Sequence, residues 1–311
     1  MIVILIPTFN DWESAELLLR SLDAVVRQHA IDAQILFVDD GSTEAPSASL
    51  GQSEALRGVS ILHLRRNLGH QRAIAVGLVY IYQNVPCDAV IVMDGDGEDR
   101  PEDIPALLAQ SRGQSITFAA RSKRLEHWTF RALYQIYRWL HLLLTGDHVR
   151  VGNFSAVPFA SLAQIVVIPE IWNHYAAAVI RSRLRFTTIP IARGARLAGQ
   201  SKMNFVNLLL HGLSAFFVYG EIVGARLLVA IAVALTLEVV LVGIGIAINI
   251  TTQFSIVSLF LYIALALGLL LLQAIPVALI LVFTVIGSRA NVGFLPIRDC
   301  PYFVRDVEKL R

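Results

Sequence analysis

The feature that most constrains this chain is an apolar segment near its C-terminus. Residues 227–288 contain one charged residue, Glu238, although 16% of the whole 311-residue sequence is charged. Within this segment, the stretches 227–250 and 256–286 are each long enough to cross about 30 Å of hydrocarbon, which takes roughly 20 helical residues. The sequence therefore predicts two transmembrane helices that form a hairpin within residues 223–288.

The charges around this segment indicate its orientation. Arg226 precedes the first predicted span, and a set of basic residues follows the second: Arg289, Arg298, Arg305, Lys309 and Arg311. Because cytoplasmic flanks are enriched in lysine and arginine, we expect both ends of the hairpin in the cytoplasm and a multi-pass protein of the plasma membrane. A charge within a span is costly unless it is paired or faces another helix. We therefore expect Glu238 to form a helix–helix contact, with a functional site as the alternative.

Residues 1–125 have the pattern of an α/β domain. Short apolar runs predict strands at 2–6, 35–38, 59–64, 89–93 and 116–119. Asn10 and Glu13 form a capping-box-like pair before the first helical pattern, and Asn67 is placed to cap a second helix over 70–84. Strands that alternate with helices favour a largely parallel sheet, which binds ligands at the carboxyl ends of its strands.

The region 126–222 has a different character. Residues 127–145 and 203–218 are very apolar helical patterns, each with a narrow polar face. They are either ordinary helices packed on a core or amphipathic helices that lie in the membrane interface. The second pattern leads almost directly into the first predicted span, so we favour the membrane interface. Residues 289–311 are predicted to form a cytoplasmic tail.

Carboxylates are concentrated where the fourth predicted strand ends. Residues 94–99 read Asp-Gly-Asp-Gly-Glu-Asp, and carboxylates packed in this way repel one another without a structural gain. Hard oxygen ligands at this density suit a divalent cation such as Mg²⁺ or Mn²⁺, which can neutralise charge on a diphosphate leaving group. The alternative is a solvated acidic turn before the helix that begins near Pro101.

A second polar cluster follows the second predicted strand, at residues 39–42, which read Asp-Asp-Gly-Ser. Its carboxylates can accept hydrogen bonds from a base or a ribose, and an Asx-type turn is the alternative. The cations available to a diphosphate are Arg65, Arg66, Arg72 and Arg121. Arginine suits phosphate recognition because its guanidinium is planar, and a surface ion pair is the alternative role for each.

Together these motifs resemble those of family 2 glycosyltransferases, which have the GT-A fold, a Rossmann-like α/β architecture. Segment 7–11 (Pro-Thr-Phe-Asn-Asp) resembles their opening motif, 38–43 (Val-Asp-Asp-Gly-Ser-Thr) the second, and 67–72 (Asn-Leu-Gly-His-Gln-Arg), followed by Gly77, the third. Asp94-Gly95-Asp96 stands where their metal-binding Asp-X-Asp motif stands. Residues 196–202 resemble the Arg-X-X-Gly-X-Ser-Lys segment of the branch that acts on polyprenyl phosphates, whose bacterial members carry two C-terminal spans.

The resemblance implies roles for individual residues. The nucleotide would be bound by Pro7, Thr8, Asp11, Asp39, Asp40, Arg72 and Asp94. The metal would be held by Asp94, Asp96 and Glu98, and the acceptor by Arg131, Gln135, Arg196, Ser201 and Lys202. The catalytic residues would be Asp94, Asp96, Arg121 and Arg131. The chain departs from the family at Glu98, where Gln is common, at Gln135, where some relatives have Ser, and at Asn153, where many bacterial members have Asp.

The implied activity is that of a metal-dependent hexosyltransferase. It would move a sugar, with inversion, from a UDP- or GDP-linked donor to a polyprenyl phosphate on the cytoplasmic membrane face. Transfer to another lipid or to a polysaccharide is one alternative, and a catalytically silent membrane scaffold is another. The expected partners are the donor, the acceptor and the lipid bilayer, and a homo-oligomer is left open. The net charge of +2 argues neither for nor against nucleic acid, and we expect none as a partner.

Overall fold

The computed structural model describes residues 1–47, 49–111, 115–121, 135, 139–140, 142–146, 151–199, 213–214, 216–252, 255–290 and 293–311. The chain divides into two compact units. The first unit comprises Met1–Arg131, Val149–Val218 and Phe294–Arg311, and the second comprises Ala132–His148 and Tyr219–Gly293.

The first unit is built on one sheet of eight strands. Strands β1 to β8 span Ile2–Thr8, Ala33–Asp39, Gly58–Leu64, Ala89–Val92, Ile116–Arg121, Val151–Pro158, Phe186–Ile191 and Val304–Lys309. Their order across the sheet is β7-β5-β6-β4-β1-β2-β3-β8. Strands β6 and β8 run antiparallel to the strands beside them, and the other six run in one direction. The five predicted strands are all present, and the mixed α/β fold class is confirmed.

The C-terminal residues form part of this sheet. Strand β8 pairs antiparallel with β3 from Ser60 opposite Lys309 to Leu64 opposite Val304. Val304 and Val307 also pack against the apolar core that contains β3 and the helix after it. Residues 289–311 were predicted to form a cytoplasmic tail, whereas the structure places them from Phe294 onward in the first unit. Four of the six residues of β8 are charged and its two valines lie three apart, so the sequence showed no strand pattern here.

Both faces of the sheet are covered by helices. Helices α1 to α5 span Trp12–Gln28, His70–Asn84, Ile104–Ser111, Phe159–Ile165 and Tyr175–Arg181, and one further helical turn spans Pro296–Asp299. Short 3-10 helices lie at Pro101–Asp103, Pro169–Trp172 and Cys300–Phe303. Every residue of β1 is buried, as expected for a strand covered on both sides. Gly77 lets α2 approach the sheet, because a Cβ at this position would lie 2.4 Å from Leu5.

The two predicted helix caps are wrong. Helix α1 begins after Asp11 without a side-chain cap. Asn10 instead crosses to the next loop, where its Oδ1 accepts hydrogen bonds from the backbone N–H groups of Thr43 and Glu44. Helix α2 begins after Gly69, also without a side-chain cap, so Asn67 does not cap it. At Asn10, contacts with residues distant in sequence replace the local capping pattern.

The second unit contains two long helices, α6 (Gly220–Thr252) and α7 (Ser255–Ala290). Within the described residues, Gly220–Ile248 and Phe260–Thr284 are long and apolar enough to cross a membrane. The carboxyl group of Glu238 in α6 lies against Gly268 in α7, where an added Cβ would meet Oε1 at 2.6 Å. The predicted helix–helix contact of Glu238 is therefore confirmed.

The described part of the first predicted amphipathic helix also belongs to the second unit. Residues 139–140 and 142–145 are helical, and Trp139 and Leu143 are exposed. The guanidinium of Arg226 donates hydrogen bonds to the backbone carbonyls of Leu142 and Leu143, at 3.5 and 2.8 Å. Arg226 thus satisfies carbonyl groups in the last turn of the helical residues 142–145, where a helix cannot satisfy them internally.

Candidate active site

The carboxyl ends of β1, β2 and β4 bring predicted site residues to one edge of the sheet. Pro7 and Thr8 end β1, Asp39 ends β2, and Asp94 follows β4 closely. Strand β1 lies between β2 and β4, and Thr8 pairs in register with Asp39. Thr8 is buried, and its hydroxyl has no hydrogen-bond partner among the described residues. This edge therefore combines carboxylates with an unsatisfied hydroxyl.

The carboxylate of Asp39 is held on both of its oxygens. Oδ1 accepts a hydrogen bond from the backbone N–H of Ser42 at 2.8 Å, and Oδ2 lies 2.8 Å from Nδ1 of His63. Nε2 of His63 lies 3.3 Å from Oε2 of Glu308 in β8. Neither His63 nor Glu308 was predicted from the sequence as a site residue. A single histidine in the apolar run of β3 was a usable signal for His63, but no local pattern pointed to Glu308.

Asp40 is adjacent to Asp39 but serves the backbone. Its two carboxylate oxygens accept hydrogen bonds from the N–H groups of Leu68 and Gly69, at 2.7 and 2.8 Å. Burial raises the pKa of Asp40, and these two hydrogen bonds oppose the rise. Asp40 therefore fixes the loop that leads into α2, and its contact with a nucleotide stays a prediction.

The acidic turn after β4 has a defined backbone shape. Asp99 is almost fully buried, and its carboxylate accepts a hydrogen bond from the N–H of Asp94 at 2.9 Å. Gly97 adopts a φ of 84°, in the left-handed region that favours glycine. Leu197 packs so closely that a Cβ on Gly97 would lie 2.3 Å from its side chain. The backbone N–H of Leu197 also donates to the carbonyl of Asp96 at 3.0 Å.

Two arginines from the segment after β7 pair with the carboxylates of this region. Arg196 donates from Nη1 to Oδ2 of Asp96 at 3.1 Å and from Nη2 to Oδ2 of Asp11 at 2.6 Å. Arg193 forms an ion pair with Glu98. The predicted acceptor residue Arg196 therefore bridges Asp11 and Asp96, which were predicted to bind the nucleotide and the metal.

The predicted metal shell of Asp94, Asp96 and Glu98 is not assembled. Within the described residues, no group of three His, Cys, Asp or Glu side chains is arranged to hold a metal ion. Glu98 pairs with Arg193 instead, so its role as a third ligand is not supported. Burial raises the pKa of Asp96, and the carboxylates of Asp94 and Glu98 raise it further. This concentration of hard, mutually repelling oxygen donors fits a divalent cation held by Asp94 and Asp96.

Asn153 in β6 lies beside Asp94. Its Nδ2 donates to Oδ1 of Asp94 at 3.3 Å and lies 3.0 Å from Nε2 of His70. Its Oδ1 accepts from Nε2 of Gln71 at 3.1 Å, while Oε1 of Gln71 accepts from the backbone N–H of Tyr175. Because Gln71 is itself fixed, the amide of Asn153 has one favoured orientation, with its N–H group towards Asp94. The departure from the family aspartate thus places a hydrogen-bond donor beside Asp94.

The structure describes three of the remaining predicted site residues: Arg72, Arg121 and Gln135. The guanidinium of Arg72 lies over the ring of Trp172, 5.4 Å from its centroid. Arg121 ends β5, and Gln135 is helical and exposed. Three predicted residues lie outside the described residues: Arg131, Ser201 and Lys202.

The fold and the sequence both have relatives among known proteins. A solved structure of glucosyl-3-phosphoglycerate synthase from Mycobacterium tuberculosis, in complex with Mn²⁺, UDP and phosphoglyceric acid, matches with a TM-score of 0.51 at 14% identity, over 72% of this chain and 78% of that one. The structure of a mycobacterial protein matches with a TM-score of 0.50 at 13% identity, over 72% and 75% of the two chains. At these identities the likeness shows the fold, which is GT-A.

A sequence relative has a named activity. The chain is 27% identical over 220 residues to undecaprenyl-phosphate 4-deoxy-4-formamido-L-arabinose transferase of Enterobacter sp. (strain 638). The match covers 66% of this chain and 63% of that relative's length. The sequence model of glycosyl transferase family 2 matches residues 3–162, just over half of the 311 residues. The chain belongs to glycosyl transferase family 2.

Proposed function

We propose that this chain is an inverting transferase that moves a sugar from a nucleoside diphosphate to a polyprenyl phosphate on the cytoplasmic membrane face. The observation that carries the proposal is the set of carboxylates Asp39, Asp94 and Asp96 at the carboxyl ends of β2 and β4, the two strands that flank β1, in a family 2 fold. In open α/β sheets, this edge is where ligands bind. The sequence relative that acts on undecaprenyl phosphate supports the choice of acceptor.

The donor is expected to bind across the ends of β1 and β2. Asp39 has a fixed carboxylate that can accept hydrogen bonds from the base or the ribose, and Thr8 offers a buried hydroxyl beside it. Asp11 lies at the start of α1 and is paired with Arg196. UDP- and GDP-linked sugars both fit this description, because these contacts do not select the base.

A divalent cation, Mg²⁺ or Mn²⁺, fits the acidic turn. Asp94 and Asp96 would supply hard oxygen ligands from one partly buried turn, and the diphosphate of the donor would complete the shell. When bound, the cation neutralises charge on the leaving nucleotide. The complex of the related fold with Mn²⁺ and UDP supports this choice of cofactor.

The chemistry asks little of the protein beyond positioning and charge neutralisation. A phosphate oxygen of the acceptor attacks the anomeric carbon, and the bond from that carbon to the nucleoside diphosphate breaks. The acceptor is already an anion, so no residue has to remove a proton. Asn153 fits this mechanism, because its amide cannot act as a base but can hold Asp94 in place. Preorganised dipoles and charges of this kind supply much of the rate enhancement in such sites.

The chain path supports a membrane hairpin. The chain leaves the first unit after Val218 and returns to it at Phe294, with helices α6 and α7 between. A folded sheet cannot lie on both sides of a bilayer, so the segment between must cross an even number of times. Two crossings satisfy this condition, and the basic residues of the flanks favour the cytoplasm for the first unit.

The proposal is tested with the full chain purified in detergent. Radiolabelled UDP- and GDP-sugars are incubated with a short polyprenyl phosphate and Mn²⁺, and the lipid product is separated and identified by mass spectrometry. We expect a polyprenyl-phosphate sugar from the wild type and from Glu102→Gln, an exposed carboxylate beyond the turn, but not from Asp96→Asn. If a diacylglycerol and a polysaccharide are tested in parallel and product forms only on one of them, that molecule is the acceptor and not the polyprenyl phosphate. Absence of transfer to all three acceptors would indicate a silent scaffold.

A further inference from the structure

The C-terminal strand reaches the candidate site through one side chain. Strand β8 lies at the edge of the sheet, antiparallel to β3. Val307 packs against the core on one face, and the neighbouring Glu308 points its carboxylate at His63 of β3. In the sequence, Glu308 comes after both apolar helices of the second unit, whereas His63 comes before them.

Asp39, His63 and Glu308 form a continuous chain of contacts. Nδ1 of His63 lies 2.8 Å from Oδ2 of Asp39, and Nε2 lies 3.3 Å from Oε2 of Glu308. Asp39 and His63 are 6% and 7% exposed, whereas the Glu308 side chain is 52% exposed. An imidazole that is hydrogen-bonded at both ring nitrogens has a fixed plane, and it fixes in turn the group bonded to its other side.

We propose that His63 and Glu308 are positioning residues that orient the Asp39 carboxylate for the nucleoside part of the donor. This inference rests on the proposed function, in which Asp39 contacts the nucleoside. A carboxylate that is already oriented loses less rotational freedom when the ligand binds, so the affinity is higher. Strand β8 then contributes a positioning residue to the donor site, in addition to completing the edge of the sheet.

A purely structural role makes a different prediction. If β8 only protects the edge of β3, every exposed carboxylate on the strand should be equivalent. Asp306 provides the matched control, because it lies on the same strand and its carboxylate contacts Arg305, not His63. Its backbone is the direct partner of His63 in the ladder.

The test measures the binding of UDP and GDP, each with Mn²⁺, to the full chain in detergent by titration calorimetry. His63→Ala should weaken binding about tenfold and Glu308→Ala about threefold, because the second contact is longer and half exposed. Glu308→Gln should bind like the wild type, since its amide group can pair with Nε2 as an acceptor through its oxygen or as a donor through its nitrogen. Asp306→Ala should bind like the wild type. His63→Asn, which keeps a donor near the Nδ1 position, should recover part of the loss and guards against misfolding of the alanine variant.

A double variant separates positioning from stability. If Glu308 acts through His63, then the pair His63→Ala with Glu308→Ala should bind no more weakly than His63→Ala alone. The inference would be overturned if Glu308→Ala bound nucleotide as tightly as the wild type, or if Asp306→Ala lost as much affinity as Glu308→Ala. Either result would leave the proposed function standing. If the wild type binds neither nucleotide, the proposed donor fails, and the inference fails with it.

Discussion

Replacement of Arg196 by alanine should weaken the donor site. Arg196 makes two charge-assisted hydrogen bonds, to Asp96 at 3.1 Å and to Asp11 at 2.6 Å. The three side chains are 21–24% exposed, so the lower end of the usual range, about 1.5 kcal/mol for each contact, is appropriate. Loss of both would amount to about 3 kcal/mol, which corresponds to roughly 100-fold at 1.4 kcal/mol per decade.

The assay is steady-state transfer with the donor and the acceptor varied in turn. We expect Arg196→Ala to raise the donor KM by about tenfold to 100-fold, because only part of the full contact energy acts in the donor complex. Arg196→Lys should rescue partly, since an ammonium group cannot bridge two carboxylates as a planar guanidinium does. Arg185→Ala, an exposed arginine just before β7, is the matched control. A raised acceptor KM with an unchanged donor KM would refute this reasoning and restore the acceptor role implied by the family resemblance.

Further changes have equally specific expected results. Asp96→Asn, or excess chelator with the wild type, should lower the transfer rate by about 100-fold or more. Full activity in excess chelator would show that the reaction needs no metal. Asn153→Asp removes the donor to Asp94 and puts a second carboxylate beside it, so the rate should fall by about tenfold, whereas a large gain would show that a base was missing. Asp40→Asn leaves one of two backbone N–H groups without an acceptor, so denaturant unfolding should show a loss of about 1–3 kcal/mol. A cysteine placed at Gln253 should react with an impermeant thiol reagent in intact cells, and labelling of a cysteine placed at the exposed Gln52 instead would indicate the opposite topology.

The sequence predicted the parts of the site that depend on local patterns. Strands β1, β2 and β4 are continuous apolar runs, and each is followed closely by polar residues of the site. The carboxyl ends of parallel strands meet at one edge of a sheet, so the strand pattern alone predicted that Asp39 and Asp94 lie at the same edge. The position of β1 between β2 and β4 came only from the structure. The apolar helices α6 and α7 were equally clear, because almost no charge interrupts them.

The contacts that the sequence could not predict join residues far apart in the chain. Glu308 meets His63 across 245 positions, and Arg196 meets Asp11 across 185. No periodicity or motif spacing encodes such pairs, because they depend on how the sheet and its loops are arranged. The failed cap at Asn10 has the same cause, since its side chain bonds to Thr43 and Glu44 rather than to its own helix.

The most direct test of the account is a structure of the full chain with Mn²⁺ and the nucleoside diphosphate that it binds. We predict the nucleoside against Asp39, the cation between the diphosphate and the carboxylates of Asp94 and Asp96, and His63 still in contact with both Asp39 and Glu308. A nucleotide bound away from the ends of β1, β2 and β4, or a diphosphate that contacts neither Asp94 nor Asp96, would contradict the central claim.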